Sequence, residues 1–262
     1  MVMQSTSLDL TYILGLYDRF AADLARVRRY MRLLRAERFD EDRLVRNARV
    51  LRYLAGDLFV PVDVSRPSWA QLDDLEAELT YLLLRDRQPE TVVEVSPCGG
   101  WSTAWILNAL HDNGRGRLCS FDTRDDSTIK VPADLAAGIR EFFLGDVRQS
   151  AHLPAKIDSL FLDSDHSAPF AEWFIAELFP RVRPGGLVSV HDVFHAGGPA
   201  ASGGEGPVVL AWLRAHDVPW LTASPTGDAA TFAAISAHRQ QYGAVLPVQE
   251  ASANPALFFE MA

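Results

Sequence analysis

A chain of 262 residues with 48% hydrophobic content can bury a full core, as one large or two small domains. Its formal net charge of -9, from 34 acidic against 25 basic residues, excludes nucleic acid as the main partner, because phosphate-backbone binding needs a basic surface. No apolar run reaches the roughly 18–20 residues that span a bilayer, Cys98 and Cys119 form no disulfide or zinc pattern, and the polar start carries no signal peptide, so a soluble cytoplasmic protein is expected.

In chain order, the first part is helical. From Leu8 to about Arg38, apolar residues Leu10, Ile13, Leu14, Tyr17, Phe20, Leu24, Val27 and Met31 recur at helical steps. A second helix is expected from Asp40 to about Ala55, with Gly56 as its stop. An extended piece, LFVPVDVSRP, follows. Ser68 with Gln71 reads as the capping box of a third helix, whose buried face holds Leu72, Leu75, Leu79, Leu82 and Leu83. The arginines between Arg26 and Arg52 are interleaved with acids, which suits the solvated sides of amphipathic helices.

After Pro89 the pattern alternates. Strands are predicted at Thr91–Val95, Arg117–Phe121, Glu141–Leu144, Ile157–Leu162 and Gly186–Val190. Helices fall between them, at about Gly100–Asp112, Pro132–Arg140, Pro169–Arg181 and Pro207–Ala215. Trp220–Ala223 and Ala256–Met261 would complete the sheet. This is an α/β chain with a Rossmann-like, doubly wound, mostly parallel sheet. The division is residues 1–88 as an N-terminal helical cap or dimerisation region and 89–262 as the catalytic domain. The run His195–Pro207, HAGGPAASGGEGP, predicts a mobile loop.

Ligands in such sheets lie beyond the carboxyl ends of the strands, so those ends hold the candidates. Glu94 closes the first strand, where an unpartnered carboxylate is costly, and should meet a cation or hydrogen-bond donors. Gly99 and Gly100 follow, opening a helix whose first N–H groups suit an anionic group. The spacing SPCGGW is not GxGxxG, which disfavours a dinucleotide fold and with it a nicotinamide-dependent oxidoreductase. Asp122 ends the second strand and suits the two hydroxyls of a ribose. Asp146, after the third, could take an exocyclic amine. The fourth strand ends in LFLDSDHS and the fifth in GGLVSVHDVFH, which brings Asp163, Asp165, His166, His191, Asp192 and His195 over one crevice. Carboxylates with imidazoles can hold a divalent metal or do general acid–base work. Arg183-Pro184-Gly185-Gly186 reads as a type II turn.

These motifs, in this order, resemble the class I S-adenosylmethionine-dependent methyltransferases. They are closest to the small-molecule branch that contains catechol O-methyltransferase and antibiotic-pathway sugar O-methyltransferases. EVSPCGGWS resembles the family's first motif, with Glu94, Gly100 and Ser102 on its positions and Ser96 in place of its first glycine. Because Ser96 precedes Pro97, an extended backbone is expected there. The resemblance implies ribose binding by Asp122 and adenine binding at the Gly145–Arg148 turn, through Asp146 and Val147. It implies metal or catalytic roles for Asp163, His191 and Asp192, and it places His166 where the catechol-type enzymes have a lysine base. His191 in place of an acid disfavours magnesium relative to manganese, iron or zinc; a pocket-shaping hydrogen-bonded pair without metal is the other reading of His191-Asp192.

Cys98 reads as a buried filler, since nothing basic beside it in sequence would activate it. Trp101 and Trp105 read as core. The function this implies is O-methylation of a small metabolite, such as a sugar, polyketide or phenol, with S-adenosylmethionine as cofactor, His166 as first and His191 as second candidate base, and a homodimer or larger homo-oligomer as the assembly. The same pocket doing other chemistry, as a hydroxylase partner, lyase or cyclase, remains the alternative, because pocket motifs report cofactor binding.

Overall fold

The computed structural model describes residues 8–39, 72–195, 198–199, 204–242 and 256–262. The predicted helix at 40–55, the extended piece at 58–67 and the proposed Ser68–Gln71 cap lie outside them. Thr91–Val95 (β1), Arg117–Asp122 (β2), Arg140–Leu144 (β3), Ile157–Leu162 (β4), Val182–Val190 (β5), Trp220–Thr222 (β8) and Leu257–Glu260 (β9) form one sheet in the order β3-β2-β1-β4-β5-β9-β8. The five strands from β3 to β5 run parallel, and β9 is antiparallel to both β5 and β8. A two-residue hairpin, Phe194–His195 (β6) with Gly198–Pro199 (β7), follows β5.

Alternation along the strands divides the core between the two faces. Val92, Leu118, Phe161 and Leu187 join one buried cluster; Val93, Cys119, Leu160 and Val188 join the other. The first face is covered by Leu10–Arg19 (α1), Ala21–Leu34 (α2), Asp74–Arg87 (α3), Trp101–Asn113 (α4) and residues of Ala229–Gln240 (α9). Ala168–Glu177 (α7) and Glu205–Ala215 (α8) cover the second. Two short helices, Asp126–Lys130 (α5) and Ala133–Ala136 (α6), connect β2 to β3.

The predicted N-terminal helix is two helices, because the chain leaves helical geometry at Phe20 (φ -107°, ψ 19°). The described part of the third helix starts at Asp74, after a capping box made by Asp73 and Glu76. Every residue of α3 from Asp74 to Leu84 is buried, charged ones included. Such a helix belongs to the interior, and its carboxylates must find partners there. Glu78 meets Arg28 of α2, Tyr17 of α1 (3.0 Å) and Arg239 of α9 (2.6 and 2.8 Å). This network ties the N-terminal helices to α9, and the buried cluster runs without interruption across residue 89. The single helix expected at 132–140 is replaced by α5 and α6, and α9 had no predicted counterpart. No helix of the described residues is long and apolar enough to cross a membrane.

Candidate active site

The turn after β1 is built around Glu94, which is fully buried. Its carboxylate accepts hydrogen bonds from Ser102 Oγ (2.7 Å), Thr103 Oγ1 (2.8 Å) and Ser120 Oγ (2.8 Å), and Ser120 Oγ in turn accepts from Arg140 Nε (3.1 Å). Burial still raises its pKa, against Arg140 and the hydroxyls. Glu94 therefore fastens β1, β2 and the first turn of α4 together, and the Ser102 hydroxyl is directed at it. The donors that its position demanded are these hydroxyls, with the guanidinium one step beyond.

Ser96 is not extended. Its φ is +63°, and its N–H donates to the Phe121 carbonyl (2.8 Å), after which the chain must bend sharply toward Asp122. Cys98 (φ +48°) and Gly100 (φ +88°) carry the same bend; the turn stores backbone strain at Ser96 and Cys98, while the glycine takes its angle freely. At Cys98 the N–H reaches Asp122 Oδ2 (2.9 Å), while Asp122 Oδ1 accepts from Arg124 N (3.1 Å). Cys98 is half-buried rather than the buried filler expected, and the burial it has pushes its thiol up to about 11, which leaves it unreactive. Trp101 and Trp105 are both buried, Trp101 edge-on to Phe39 and donating from Nε1 to the Leu72 carbonyl (3.2 Å).

At the ends of β2 and β3 lies a cavity of about 520 Å³, lined by Phe121, Phe143, Gly145, Asp146, Gln149 and His152 among others. The Asp146 carboxylate pairs with Arg148 (2.7 Å), and Val147 is buried beneath the turn. These residues fit an adenosine-bearing cofactor: the Asp122 carboxylate accepts from the amides of Cys98, Arg124 and Thr123, which leaves one of its four lone pairs for a ribose hydroxyl, and the cavity begins at the neighbouring Phe121.

The ends of β4 and β5 hold the densest chemistry. His166 and Asp192 are both in the left-handed region (φ +56° and +59°), which turns the two loops toward one another. His191 Nδ1 lies 3.1 Å from Asp192 Oδ1 and 3.3 Å from Asp163 Oδ1. His166 Nε2 lies 3.4 Å from Asp192 Oδ2 and 3.6 Å from Asp163 Oδ1. Two imidazoles thus face one pair of carboxylates. Behind each ring stands a buried glutamate: Glu205, at 2.5 Å from His166 Nδ1, and Glu76, at 3.3 Å from His191 Nε2. Neither nitrogen of His191 is aligned for a hydrogen bond, although both are buried and close to carboxylates.

The surroundings shift these groups together. Burial opposes protonation of His166, but the hydrogen bond and charge of Glu205, backed by Asp163 and Asp192, hold its pKa above the ordinary value. His191 is held well above it by Asp163 and Glu76 against complete burial. Burial raises Glu76 to about 7 despite His191. Donor atoms of Asp163, His191 and Asp192 lie within 4.8 Å of one another, a set of one nitrogen and two carboxylate oxygens that fits a divalent ion.

The structure brings together Asp163, His166, His191 and Asp192; Asp165 caps the turn through Ser167 N (2.8 Å). Sequence reasoning missed Glu76 and Glu205. The signal for Glu76 was Asp73-x-x-Glu76, a capping box that lies further along the chain than the Ser68–Gln71 pair. Glu205 was hidden by starting α8 at Pro207, two residues late.

Residues 93–193 match the family model described as a methyltransferase domain. No curated protein matches the sequence. Among solved structures, a putative O-methyltransferase from Klebsiella pneumoniae aligns with TM-score 0.52 at 17% identity, over 80% of this chain and 96% of that one. A methyltransferase from Geobacter sulfurreducens aligns with TM-score 0.50 at 18% identity, over 82% and 96%. A putative caffeoyl-CoA O-methyltransferase from Staphylococcus aureus gives 0.50 at 13%, over 81% and 91%. At these identities the likeness is one of fold.

Proposed function

We propose that this chain, an S-adenosylmethionine-dependent methyltransferase of the class I fold, methylates a hydroxyl oxygen of a small molecule, with His166 as the general base. The observation that carries this reading is the Glu205–His166 pair at the carboxyl end of β4. With Nδ1–H donated to a buried carboxylate, the imidazole keeps one tautomer and aims Nε2 at the crevice that Asp163 and Asp192 share.

When bound, S-adenosylmethionine supplies an electrophilic methyl group on a sulfonium. The chain's own residues would place the acceptor oxygen in line with that methyl and take up its hydroxyl proton at His166 Nε2. The cofactor would supply the methyl to the acceptor oxygen and keep the carbon–sulfur electron pair on its sulfur, and His166 would hold the proton until solvent removes it. In this reading Asp122, Asp146 and Val147 hold the adenosine, Gly100 and Ser96 admit the methionine end, and Glu94 with Ser102 braces the turn. Asp163, His191 and Asp192 would hold a divalent cation, with the nitrogen donor favouring manganese, iron or zinc over magnesium, and the ion would polarise the acceptor hydroxyl.

The described N-terminal helices are assigned to capping the crevice and to dimer contact, and a one-chain mass in solution would remove the dimer; residues 196–197 and 200–203 of the loop expected at 195–207 lie outside the described residues. The central test is S-adenosylhomocysteine release with a panel of phenols, sugars and hydroxylated polyketides. His166→Ala should lower kcat by roughly 10²–10⁴-fold with cofactor affinity kept. An unchanged kcat would end the assignment of His166.

A further inference from the structure

The buried carboxylate on α3 has no place in the chemistry above. Glu76 is fully buried, ten other residues of its helix are buried with it, and its two oxygens serve three partners. Oε2 accepts from the N–H of Asp73 (3.2 Å), closing the capping box. Oε1 accepts from the N–H of Ala256, at the entry to β9. The same Oε1 is the atom 3.3 Å from His191 Nε2. A cap alone needs no buried helix end beside an active-site imidazole, and a solvent-facing glutamate could close the box at lower desolvation cost.

His191 has its other nitrogen, Nδ1, directed at Asp163 and Asp192. A neutral imidazole carries one proton, so the group that accepts it fixes which nitrogen offers a lone pair. We infer that Glu76 is a positioning residue: it accepts the Nε2 proton of His191 and thereby commits Nδ1 to a divalent cation held with Asp163 and Asp192. The inference rests on the metal reading given above and extends it to the N-terminal helices, whose α3 then supplies part of the site. The present approach of Glu76 to Nε2 is within reach but off the hydrogen-bond direction; such contacts commonly tighten when the site is filled. The Glu205–His166 pair repeats the arrangement on the neighbouring loop, a buried glutamate behind a ring whose far nitrogen faces the same two aspartates.

The test is titration of chelator-treated full-length protein with Co²⁺, followed by its visible ligand-field spectrum, for the unaltered chain and for Glu76→Gln. Cobalt binds nitrogen–oxygen sites more tightly than manganese or iron(II), so it is a demanding probe for the presence of a site. Glutamine keeps the volume and an oxygen for the Ala256 N–H. Glu76→Asp, which retains the charge but draws it back from His191, serves if the glutamine variant does not fold. The expected result is one Co²⁺ in the unaltered chain and an affinity about 10- to 100-fold weaker in the variant, with S-adenosylmethionine affinity within twofold. Glu78→Gln, two residues along the same helix and turned to Arg28 and Arg239, should lower stability without moving the Co²⁺ affinity. If the unaltered chain takes no Co²⁺, the metal reading falls and this inference with it. If it takes Co²⁺ and Glu76→Gln takes it equally well, or if Glu78→Gln weakens it as much, only the positioning role falls.

Discussion

Gly100→Ala tests whether the turn that opens α4 is as tightly set as its contacts indicate. A Cβ there would stand 2.5 Å from Val131 Cγ2 and 3.1 Å from Ser127 Cβ, and the residue sits at φ +88°. The backbone cost for an L-residue in that region is about 1–2 kcal/mol. Overpacking adds about 1–3 kcal/mol, because Val131 is a stiff β-branched side chain and is itself buried. The sum is roughly 2–5 kcal/mol, or a fall in Tm of about 4–20 °C for a chain of this size. Gly114→Ala isolates the backbone cost, since that residue has φ +63° and an alanine methyl there would meet nothing within 4 Å.

Urea unfolding of Gly100→Ala, Gly114→Ala, Val131→Ala and the Gly100→Ala/Val131→Ala pair separates the two contributions. Removing Cγ2 should return part of the loss, with a coupling of about 1 kcal/mol or more. Calorimetry should also show weaker S-adenosylmethionine binding for Gly100→Ala alone, because the displaced helix start moves the turn proposed to face the cofactor. Equal losses at Gly100 and Gly114, or no relief from Val131→Ala, would refute the steric account.

Three further outcomes follow from the buried charges. Glu205→Gln should lower kcat by on the order of 10-fold or more through loss of the fixed tautomer, and should move the acid limb of the pH–rate profile downward, since Glu205 is what raises His166; a limb that stays in place would contradict this. Arg239→Met removes one of the two guanidinium groups that meet Glu78 and Asp74 and should cost about 3 kcal/mol in urea unfolding; a loss below about 1 kcal/mol would mean the network is not structural. In chelated protein, Glu76, His166 and His191 all have raised folded-state pKa values, so the folded state binds more protons than the unfolded one. Each contributes most at low pH and loses that contribution as pH rises, Glu76 through about 7 and the two imidazoles above their ordinary range, so Tm should fall from pH 5 to pH 8; a rise across that window would refute the assignment.

Much of this was legible because it depends on period and on strand ends. The runs TVVEV and IDSLFL are short, apolar and bounded by turn residues, and both became parallel strands at the residues predicted. The aspartates and histidines of β4 and β5 follow their strands directly, so topology alone collects them. What stayed hidden depends on long-range packing. Ser96 takes φ +63° because its N–H continues the ladder to Phe121 while Cys98 must reach Asp122, and no local preference reports that conflict. Glu76 precedes His191 by more than a hundred residues, and α9, poor in periodic contrast, is held by Arg239 reaching back to Glu78.

The charge balance of the site connects these observations. Glu76, Asp163, Asp192 and Glu205 are four carboxylates gathered around two imidazoles in a largely buried space. Four negative charges with neutral rings would repel strongly there, so the site must retain protons or take up a cation. The raised values of Glu76, His166 and His191 are the proton-retaining solution. A divalent ion is the other: it would displace the proton from the His191 nitrogen that binds it, and its charge would lower the pKa of Glu76 and His166 nearby. The two solutions have opposite pH dependence: proton retention weakens as pH rises, whereas metal binding strengthens. Adding Co²⁺ should therefore flatten the fall in Tm between pH 5 and pH 8, and should leave it unchanged in a chain where Asp163 is replaced by Asn. That variant keeps His166 beside Glu205 and removes one of the two carboxylates both rings face, so it separates the cation from the base.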